Sequence, residues 1–335
     1  MVFGAHAFPH DAGALGGGPF AGSAAVLVRS GGFGVDLFFA LSSFLITSLL
    51  LREREQTGRL DVKSFYIRRA LRIWPLYFAF LIGGFGLQFV APSKPLSGAD
   101  FAAFALFLGN WKIAFAGYPA DAFALLWSLC VEEQFYFLWP PVIRLTSGAS
   151  LRTVAVGMIV TSVLSRLVFS IIDLPDYSFW CATISRLDPI AVGILVAVGG
   201  RPIREHAYAA VFFGFAIVVL GEAIDTALPQ YGRTFGYLVV AGGCGLVLSG
   251  FLAMKAQPGL LSYLGKISFG LYVFHRAILD LGLYLFPTHS AALQLARAGL
   301  CLALSITAAA LSYELYEAPF LKVKNRFAHV ASRPV

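Results

Sequence analysis

Long apolar runs separated by short polar connections dominate the sequence. A helix needs about 20 apolar residues to cross a bilayer, and nine runs are candidate spans, at 33–51, 73–91, 123–143, 153–172, 187–200, 207–223, 234–254, 267–286 and 291–313. The run at 187–200 is short for a span. The run at 101–109 is shorter still and predicts a re-entrant or interfacial segment. The pattern predicts an all-α polytopic membrane protein.

Composition agrees with that class. Of the 335 residues, 58% are hydrophobic and only 13% are charged, whereas soluble domains carry about 25% charged residues. The four cysteines lie far apart, mostly inside apolar runs, with no CxxC or Cys/His cluster. They are therefore expected to be free thiols that behave as small hydrophobes, and no disulfide framework or metal site is expected.

Basic residues set the predicted orientation. They concentrate in the connection 52–72 and at four other run ends, namely Arg144 with Arg152, Arg201 with Arg204, Lys255 with Lys266, and Lys322 to Arg326. All five groups fall on one side of the membrane if the spans are correct, and the positive-inside rule makes that side cytoplasmic. The net charge of +7 is therefore assigned to this bias, and no nucleic acid partner is expected.

The N-terminal segment does not fit this alternation. If 33–51 runs inward, residues 10–32 form an outer loop, and only "MVFGAHAFP" precedes it to cross from the cytoplasm. The segment has no basic start and no adequate apolar core, so it is not a signal peptide. The chain is expected to begin inside its first helix. We expect one membrane domain over 1–321 and a short basic cytoplasmic tail over 322–335.

The segment "LLWSLCVEEQFYFLWP" places two carboxylates, Glu132 and Glu133, in an apolar run. A charge at the bilayer centre costs roughly 2.5–3.5 kcal/mol on insertion scales unless it finds a partner or water. Residues four apart share a helix face, so Ser128, Glu132 and Tyr136 form one polar stripe, and Glu132 is expected to face the interior more squarely than Glu133. Two interpretations stay open: a carboxylate that supports packing, or a functional site.

Other polar residues are embedded in apolar runs: Asp36, Ser43, Gln88, Arg166, His275, Arg276 and Asp280. Asp36 lies near the outer end of its helix, with Ser43 two turns later on the same face. Arg276 and Asp280 are four residues apart and predict an intrahelical ion pair. His275, near mid-span, fits a buried core histidine and a substrate contact equally well. Arg166 and Gln88 have no obvious partner.

One histidine occupies a different position. His6 ends the short apolar segment "VFGAH" near the level inferred for Glu132. Imidazole titrates near neutral pH, so a histidine there can act as a general base. Its rival, His10, is assigned to the loop.

Arginines concentrate in "SFYIRRALRIWPLYF". Pro75 suits the first turn of a helix, which would place Arg72 at the membrane surface. Arg69 and Arg72 are three residues apart, a spacing that lets two guanidiniums grip one phosphate cluster. Anchoring to lipid head groups is the alternative.

Six motifs in series resemble the acyltransferase-3 family of membrane carbohydrate O-acyltransferases. The first, "GVDLFFALSSFLIT", contains Asp36 and Ser42, and the others are "FYIRRALRIWPLYF", "LWSLCVEEQFYFLWP", "SRLDPIAVGILVA", "ISFGLYVFH" and "LSYELYEAPF". The resemblance runs from about residue 2 to 321. It implies about ten spanning helices in a bacterial inner membrane, which fits nine runs plus a truncated first helix.

The resemblance also implies an activity and its residues. The family is thought to take an acyl group, usually acetyl, from cytoplasmic acyl-CoA and deliver it to a sugar hydroxyl. Its essential histidine corresponds to His6, and its arginine pair, implicated in CoA binding, to Arg69 and Arg72, with Arg68 beside them. Its WSLxxEE motif corresponds to Trp127, Ser128, Glu132 and Glu133, and its late motif contains Tyr272 and His275.

Two departures from the family pattern stand out. The family's S-G-F-L is here Ser42-Ser43-Phe44-Leu45, and a basic residue normally about ten positions before the histidine would precede Met1.

Together with these residues, the resemblance implies an acyltransferase with Glu132 and Glu133 supporting His6, acyl-CoA as co-substrate, no metal, and a carbohydrate or glycolipid acceptor. The sequence does not indicate an oligomeric state. A multi-pass transporter, with buried Glu, His and Arg as a proton or substrate relay, is the alternative, although the two halves show no internal repeat. A lipid-organising protein would explain the basic face but not the motifs.

Overall fold

Helices follow the apolar runs along the whole described chain. The computed structural model describes residues 1–9, 20–87, 96–119, 121–199, 204–228, 231–254, 259–288 and 290–327. These ranges contain α-helices and no β-strand. The helices are α1 (Val2–Ala7), α2 (Ala21–Ser30), α3 (Gly34–Thr57), α4 (Val62–Leu87), α5 (Gly98–Ala105), α6 (Gly109–Ala116), α7 (Asp121–Ala124), α8 (Trp127–Leu145), α9 (Gly148–Ile171), α10 (Asp176–Cys181), α11 (Leu187–Val198), α12 (Ala207–Ala227), α13 (Gly232–Ala253), α14 (Leu260–Lys266), α15 (Ser268–Leu285), α16 (Ala291–Leu311) and α17 (Ala318–Asn325).

Six helical stretches in the described part are long and apolar enough to cross a membrane: Ala21–Thr57, Val62–Leu87, Ala149–Ile171, Ala207–Ala227, Gly232–Ala253 and Ala291–Asn325. Within the described residues, all nine predicted spans overlap helices, and residues 88–91 and 200, at the ends of two of these spans, lie outside the described part. However, α11 has only 12 residues, and α8 and α15 contain charged side chains that lower their mean hydropathy. The count of about ten spans therefore stays a prediction.

The predicted outer loop 10–32 is wrong in its second half. Residues 10–19 lie outside the described part, but α2 covers Ala21–Ser30 and continues through a 3-10 turn, Gly31–Phe33, into α3. The alanines of this run favour a helix, and packing holds it in place. Arg29 Nε donates to Glu222 Oε1 of α12 at 2.7 Å. The apolar helical stretch therefore begins at Ala21 and not at residue 33, where the sequence pattern places the start of the span.

The start of α4 also differs from the prediction. Asp61 Oδ1 accepts a hydrogen bond from the Ser64 backbone at 3.0 Å, which satisfies a free donor at the beginning of the helix. Pro75 therefore lies inside the helix and not in its first turn, and Arg72 lies almost three turns from the helix start. The carbonyl of Pro75 accepts a hydrogen bond from the Tyr316 hydroxyl at 3.2 Å. This cap, and not the proline, sets where α4 begins.

The chain divides into two compact units: Met1–Leu60 with Leu138–Lys255, and Asp61–Phe137 with Ala256–Val335. In the first unit, α11 packs on α3 so closely that a Cβ on Gly193 would lie 2.1 Å from both the Ala40 carbonyl oxygen and Ser43 Oγ. Ser43 Oγ donates to the Ile190 carbonyl at 2.8 Å. The contact thus depends on glycine in α11 and a small hydroxyl in α3.

The first unit also holds the short helix α1 against the turn before α3. A Cβ on Gly31 would lie 2.8 Å from the Met1 carbonyl oxygen, and one on Gly34 would lie 2.8 Å from Val2 Cγ2. The absence of side chains at these two positions allows the close approach. The turn therefore fixes the position of α1, which carries His6 in its last turn.

In the second unit, α5 and α6 interrupt the run 101–109. Gln134 Nε2 donates to the Phe107 carbonyl at 2.7 Å and to Asn110 Oδ1 at 2.8 Å. Tyr77 OH donates to the Phe104 carbonyl at 2.8 Å. Each helix has eight residues, too few to cross a bilayer. Their depth in the membrane stays a prediction.

Candidate active site

The predicted polar stripe of α8 is present. Ser128, Glu132 and Tyr136 are all buried, and Glu132 is only 3% exposed. The Tyr136 hydroxyl donates to Glu132 Oε1, one helical turn away. Ser128 Oγ lies 2.6 Å from the Tyr272 hydroxyl. Trp127, at the start of the helix, is also buried. The carboxylate is therefore held by a hydroxyl, as burial of a charge requires.

Glu133 has a different environment. It is half-buried, so the prediction that Glu132 faces the interior more squarely is confirmed. Trp74 Nε1 of α4 donates to Glu133 Oε2 at 3.0 Å. Its other oxygen, Oε1, is buried and accepts no hydrogen bond from the described protein atoms. A buried carboxylate oxygen in that state is an open acceptor for a ligand or a water molecule.

The arginines of α4 have three different environments. The Arg69 guanidinium lies over the Tyr136 ring, 5.3 Å from its centroid, within the range of a cation–π contact. Arg68 is buried, and its Nη1 donates to the Phe327 carbonyl at 2.5 Å. Arg72 is exposed. The structure thus places Arg69 next to the Glu132–Tyr136 pair, whereas Arg72 lines a small cavity.

His275 has a backbone partner. It is 2% exposed, and its Nδ1 lies 2.5 Å from the Tyr272 carbonyl oxygen. A carbonyl only accepts, so Nδ1 carries the hydrogen and Nε2 is left as an acceptor. The Tyr272 hydroxyl in turn donates to the Leu125 carbonyl at 2.9 Å. Arg276 Nε and Asp280 Oδ1 are 3.0 Å apart, which confirms the predicted ion pair.

Asp36 is paired with an arginine that the sequence analysis did not single out. Arg186 Nη2 donates to Asp36 Oδ2 at 2.5 Å, and both side chains are 1% exposed. Arg186 also lies between two rings, 4.5 Å from the Trp180 centroid and 4.6 Å from that of Tyr237. The sequence contains this arginine in the motif "SRLDPIAVGILVA", just before α11.

Arg166, for which the sequence shows no obvious partner, is paired with a carboxylate in the structure. Its Nη1 and Nη2 donate to Asp188 Oδ1 and Oδ2, each at 3.0 Å, in a bidentate pair. Ser162 Oγ donates to Asp188 Oδ1 at 3.0 Å. A buried arginine in an apolar helix needs a carboxylate. Asp188, in the motif "SRLDPIAVGILVA", supplies it. Sequence spacing alone does not reveal this pairing because the two residues lie on different helices.

The remaining predicted residues lie in the first unit. His6 is half-buried on α1, and Ser42 is buried on α3. Both belong to the unit that contains Asp36, whereas Glu132, Glu133 and the α4 arginines belong to the second unit. That Glu132 supports His6 stays a prediction. His10, Gln88, Arg201 and Lys255 lie outside the described residues.

Two predictions concern thiols and metals. All four cysteines are free and buried, which confirms their expected role as small hydrophobes. Among the described residues, no group of three or more His, Cys, Asp or Glu side chains is arranged to hold a metal ion.

Apolar helices long enough to cross a bilayer, with ionisable side chains buried in them, are those of an integral membrane protein. The chain belongs to the acyltransferase-3 family, since the family model, described as an acyltransferase domain, matches residues 1–314.

Several bacterial proteins are similar to this chain. SACOL0978 of Staphylococcus aureus strain COL, named a candidate O-acetyltransferase, is 27% identical over 329 residues, covering 88% of this chain and 53% of the relative. The O-acetyltransferase OatA of S. aureus strain NCTC 8325 is 27% identical over 283 residues, covering 75% and 46%. The peptidoglycan O-acetyltransferase OatA of Listeria monocytogenes is 40% identical over 121 residues, covering 33% and 19%. The chain thus spans about half the length of the first of these relatives. No solved structure matches it.

Proposed function

We propose that this protein transfers an acyl group, in the first instance acetyl, from acyl-CoA to a hydroxyl of a carbohydrate or glycolipid. The observation that carries the proposal is the contact between Arg69 and Tyr136, whose hydroxyl bonds Glu132. It links a cation of the proposed donor site to the carboxylate of the proposed reaction site. Family membership and the names of the similar proteins support the same reaction class.

The proposed roles follow from the chemistry of each group. His6 takes the proton from the acceptor hydroxyl as that oxygen attacks the thioester carbonyl carbon. The carbon–sulfur bond breaks, the CoA sulfur takes the proton that His6 accepted, and CoA leaves as a thiol. Glu132, with Glu133, supports the charge that forms on the base. Arg68, Arg69 and Arg72 hold the phosphates of CoA.

The acceptor is proposed from the relatives alone. A similar protein is named for peptidoglycan O-acetylation, so a hydroxyl of a cell-envelope glycan is the first acceptor to test. Aromatic side chains next to buried polar groups are common in small-molecule sites. Trp74, which donates to Glu133 and is 43% exposed, is such a side chain.

The proposed setting is the bacterial inner membrane, with the C-terminus in the cytoplasm. The basic clusters support this orientation, since positive residues favour the cytoplasmic side. We propose one membrane domain over 1–321, whose basic extension 322–335 begins within α17. Cytoplasmic acyl-CoA then reaches the arginines of α4 without crossing the bilayer.

A transporter remains the second candidate because of the buried pairs Asp36–Arg186 and Arg166–Asp188. Intramembrane ion pairs of this kind mark proton and substrate paths in transporters. A flux assay in proteoliposomes without CoA separates the two functions. Flux without acyl transfer would support the transporter.

The test of the acyltransferase proposal uses the purified full chain in lipid nanodiscs with radiolabelled acetyl-CoA and glycan fragments. His6→Ala is expected to abolish transfer while acetyl-CoA binding persists, because it removes the base but not the donor site. Arg69→Ala/Arg72→Ala is expected to abolish acetyl-CoA binding. The matched controls are His206→Ala, an exposed histidine, and Arg59→Ala, an exposed arginine in the same basic connection. Full transfer by His6→Ala would refute the base assignment.

A further inference from the structure

A small cavity opens in the second unit beside Arg72. It is lined by Arg72 of α4, Lys266 of α14, Phe269 of α15, Tyr313 and Glu317 of the turn before α17, and Leu321 of α17. Its volume is about 10 Å³, close to the space that one water molecule needs. Residues from five structural elements thus meet around a space too small for any larger group.

Positively charged side chains outnumber the single carboxylate around this cavity. Arg72 and Lys266 are exposed at its edge, and Lys324, one turn beyond Leu321, is half-buried. Arg72, Arg69 and Arg68 lie near enough to Lys324 for their positive charges to repel it. Like charges held this close repel one another, and they repel more strongly where water is excluded. An anion between them would relieve that repulsion.

The cavity already contains one negative group, Glu317. Its side chain is buried, with 7% of the residue exposed, and its Oε1 accepts a hydrogen bond from Ser312 Oγ at 3.0 Å. Arg72 lies near enough to attract the Glu317 carboxylate. Glu317 ends a π-helical turn, Ser312–Glu317, a rare local geometry that is frequently found at functional sites. The turn directs the carboxylate into the cationic space.

We propose that this cavity binds a phosphate group, and that Glu317 is a built-in counter-anion that the phosphate displaces. Arg72 offers a planar fork of donors that suits phosphate oxygens, whereas Lys266 and Lys324 act as point charges. The Tyr313 hydroxyl is a further donor. Because the cavity holds only about one water molecule, a phosphate enters only when the carboxylate moves out.

The ligand is identified by this chemistry alone, and two sources supply it. One is the bisphosphorylated adenosine end of CoA, an assignment that rests on the proposed function. The other is the head group of an anionic lipid. Lys266, Tyr313, Glu317 and Lys324 are the residues that this inference adds to the three arginines of α4.

The first experiment measures binding of adenosine 3′,5′-bisphosphate to the full chain in phosphatidylcholine nanodiscs by titration calorimetry. Lys324→Ala is expected to weaken binding about tenfold, as the loss of one charge-assisted hydrogen bond does. Lys322→Ala, at an exposed position on the same helix, is the matched control and is expected to leave binding unchanged. Glu317→Gln is expected to tighten binding severalfold, because the competing charge is removed while the shape is kept.

The outcomes separate this inference from the proposed function. If Glu317→Gln binds no tighter and Lys324→Ala equals Lys322→Ala, the inference is wrong even where Arg69→Ala/Arg72→Ala abolishes binding. If the double arginine variant still binds acetyl-CoA, the proposed donor site is wrong. A thermal unfolding curve for each variant identifies those that fail to fold. If Glu317→Gln fails to fold, Glu317→Asp replaces it. Its shorter side chain is expected to compete less with the phosphate.

The two sources of phosphate are separated by lipid composition. The same titration is repeated in phosphatidylglycerol nanodiscs, with inorganic phosphate as a second soluble probe. The site would be assigned to a lipid head group if the nucleotide binds more weakly in anionic lipid and Lys324→Ala removes that difference between the two lipids. Equal binding in both lipids would assign it to the soluble nucleotide. Either result supports a phosphate site.

Discussion

Tyr136 joins two kinds of chemistry through its two ends. Its ring lies under the Arg69 guanidinium, and its hydroxyl donates to Glu132. A hydrogen bond to a charged acceptor contributes roughly 1.5–3 kcal/mol. The ring and the hydroxyl are separable by substitution, so the contribution of each is open to measurement.

Tyr136→Phe keeps the ring and removes the hydroxyl. Under the proposed function, acyl transfer is expected to fall at least about tenfold, because Glu132 is left buried without that donor, whereas CoA binding is expected to stay unchanged. Steady-state transfer and calorimetric binding check the two parts. Tyr66→Phe is the control, since the Tyr66 hydroxyl donates only to the Phe137 carbonyl. Equal rates for the two variants would remove Tyr136 from the mechanism.

At the scale of helices, two buried ion pairs connect elements of the first unit. Asp36 of α3 pairs with Arg186 in the turn before α11, and Arg166 of α9 pairs with Asp188 of α11. Arg186 still has two buried donors, Nε and Nη1, with no partner among the described protein atoms. Buried donors without a partner cost free energy, so the stability of this network depends on the ion pairs it does form. These pairs fix how α3 and α9 pack against α11.

Removal of one partner is expected to destabilise the unit more than removal of both. Arg186→Leu leaves a buried carboxylate unpaired and is expected to cost about 3–5 kcal/mol in the free energy of unfolding, whereas Asp36→Leu/Arg186→Leu is expected to recover much of that loss. Unfolding in mixed detergent micelles measures both. Arg152→Leu, at an exposed arginine of α9, is the control. A double variant less stable than Arg186→Leu would contradict the prediction.

Apolar length and periodicity predicted where the helices are, because burial in lipid depends on local sequence. Boundaries were harder to predict. The start of α4 depends on the cap by Asp61, a polar residue outside the apolar run, and α2 extends the run of α3 through glycines that usually indicate a loop.

The candidate site was predictable only where its residues share one helix. Ser128, Glu132 and Tyr136 follow from the four-residue spacing along α8. The partners of Asp36 and Arg166 lie on other helices, so no spacing rule reveals them. The cavity beside Arg72 combines residues as far apart as Arg72 and Leu321, and only the tertiary fold brings them together.

At the scale of the whole molecule, the buried cysteines make the membrane orientation directly measurable. Cys130, Cys181, Cys244 and Cys301 are all buried, so a membrane-impermeant maleimide is expected to label the native chain poorly. Cysteines introduced at exposed positions then report their own side of the bilayer.

Lys322→Cys is expected to be labelled only after the inner membrane is permeabilised, because the positive-inside rule places that end in the cytoplasm. Pro175→Cys, in a connection with few basic residues, is expected to be labelled in intact spheroplasts. Both positions are exposed in the structure. Protection of both cysteines before permeabilisation, or labelling of both, would contradict the predicted orientation.

The close fit of α1 against Gly31 and Gly34 has a consequence for natural variation. A helix of six residues has almost no stability of its own, so its position is set by that glycine turn. Neither glycine has a side chain that could bind substrate. A methyl group at either position would nevertheless displace α1, and His6 with it. Under the proposed function, a scan of every substitution under selection for activity should find that Gly31 and Gly34 tolerate change as poorly as His6.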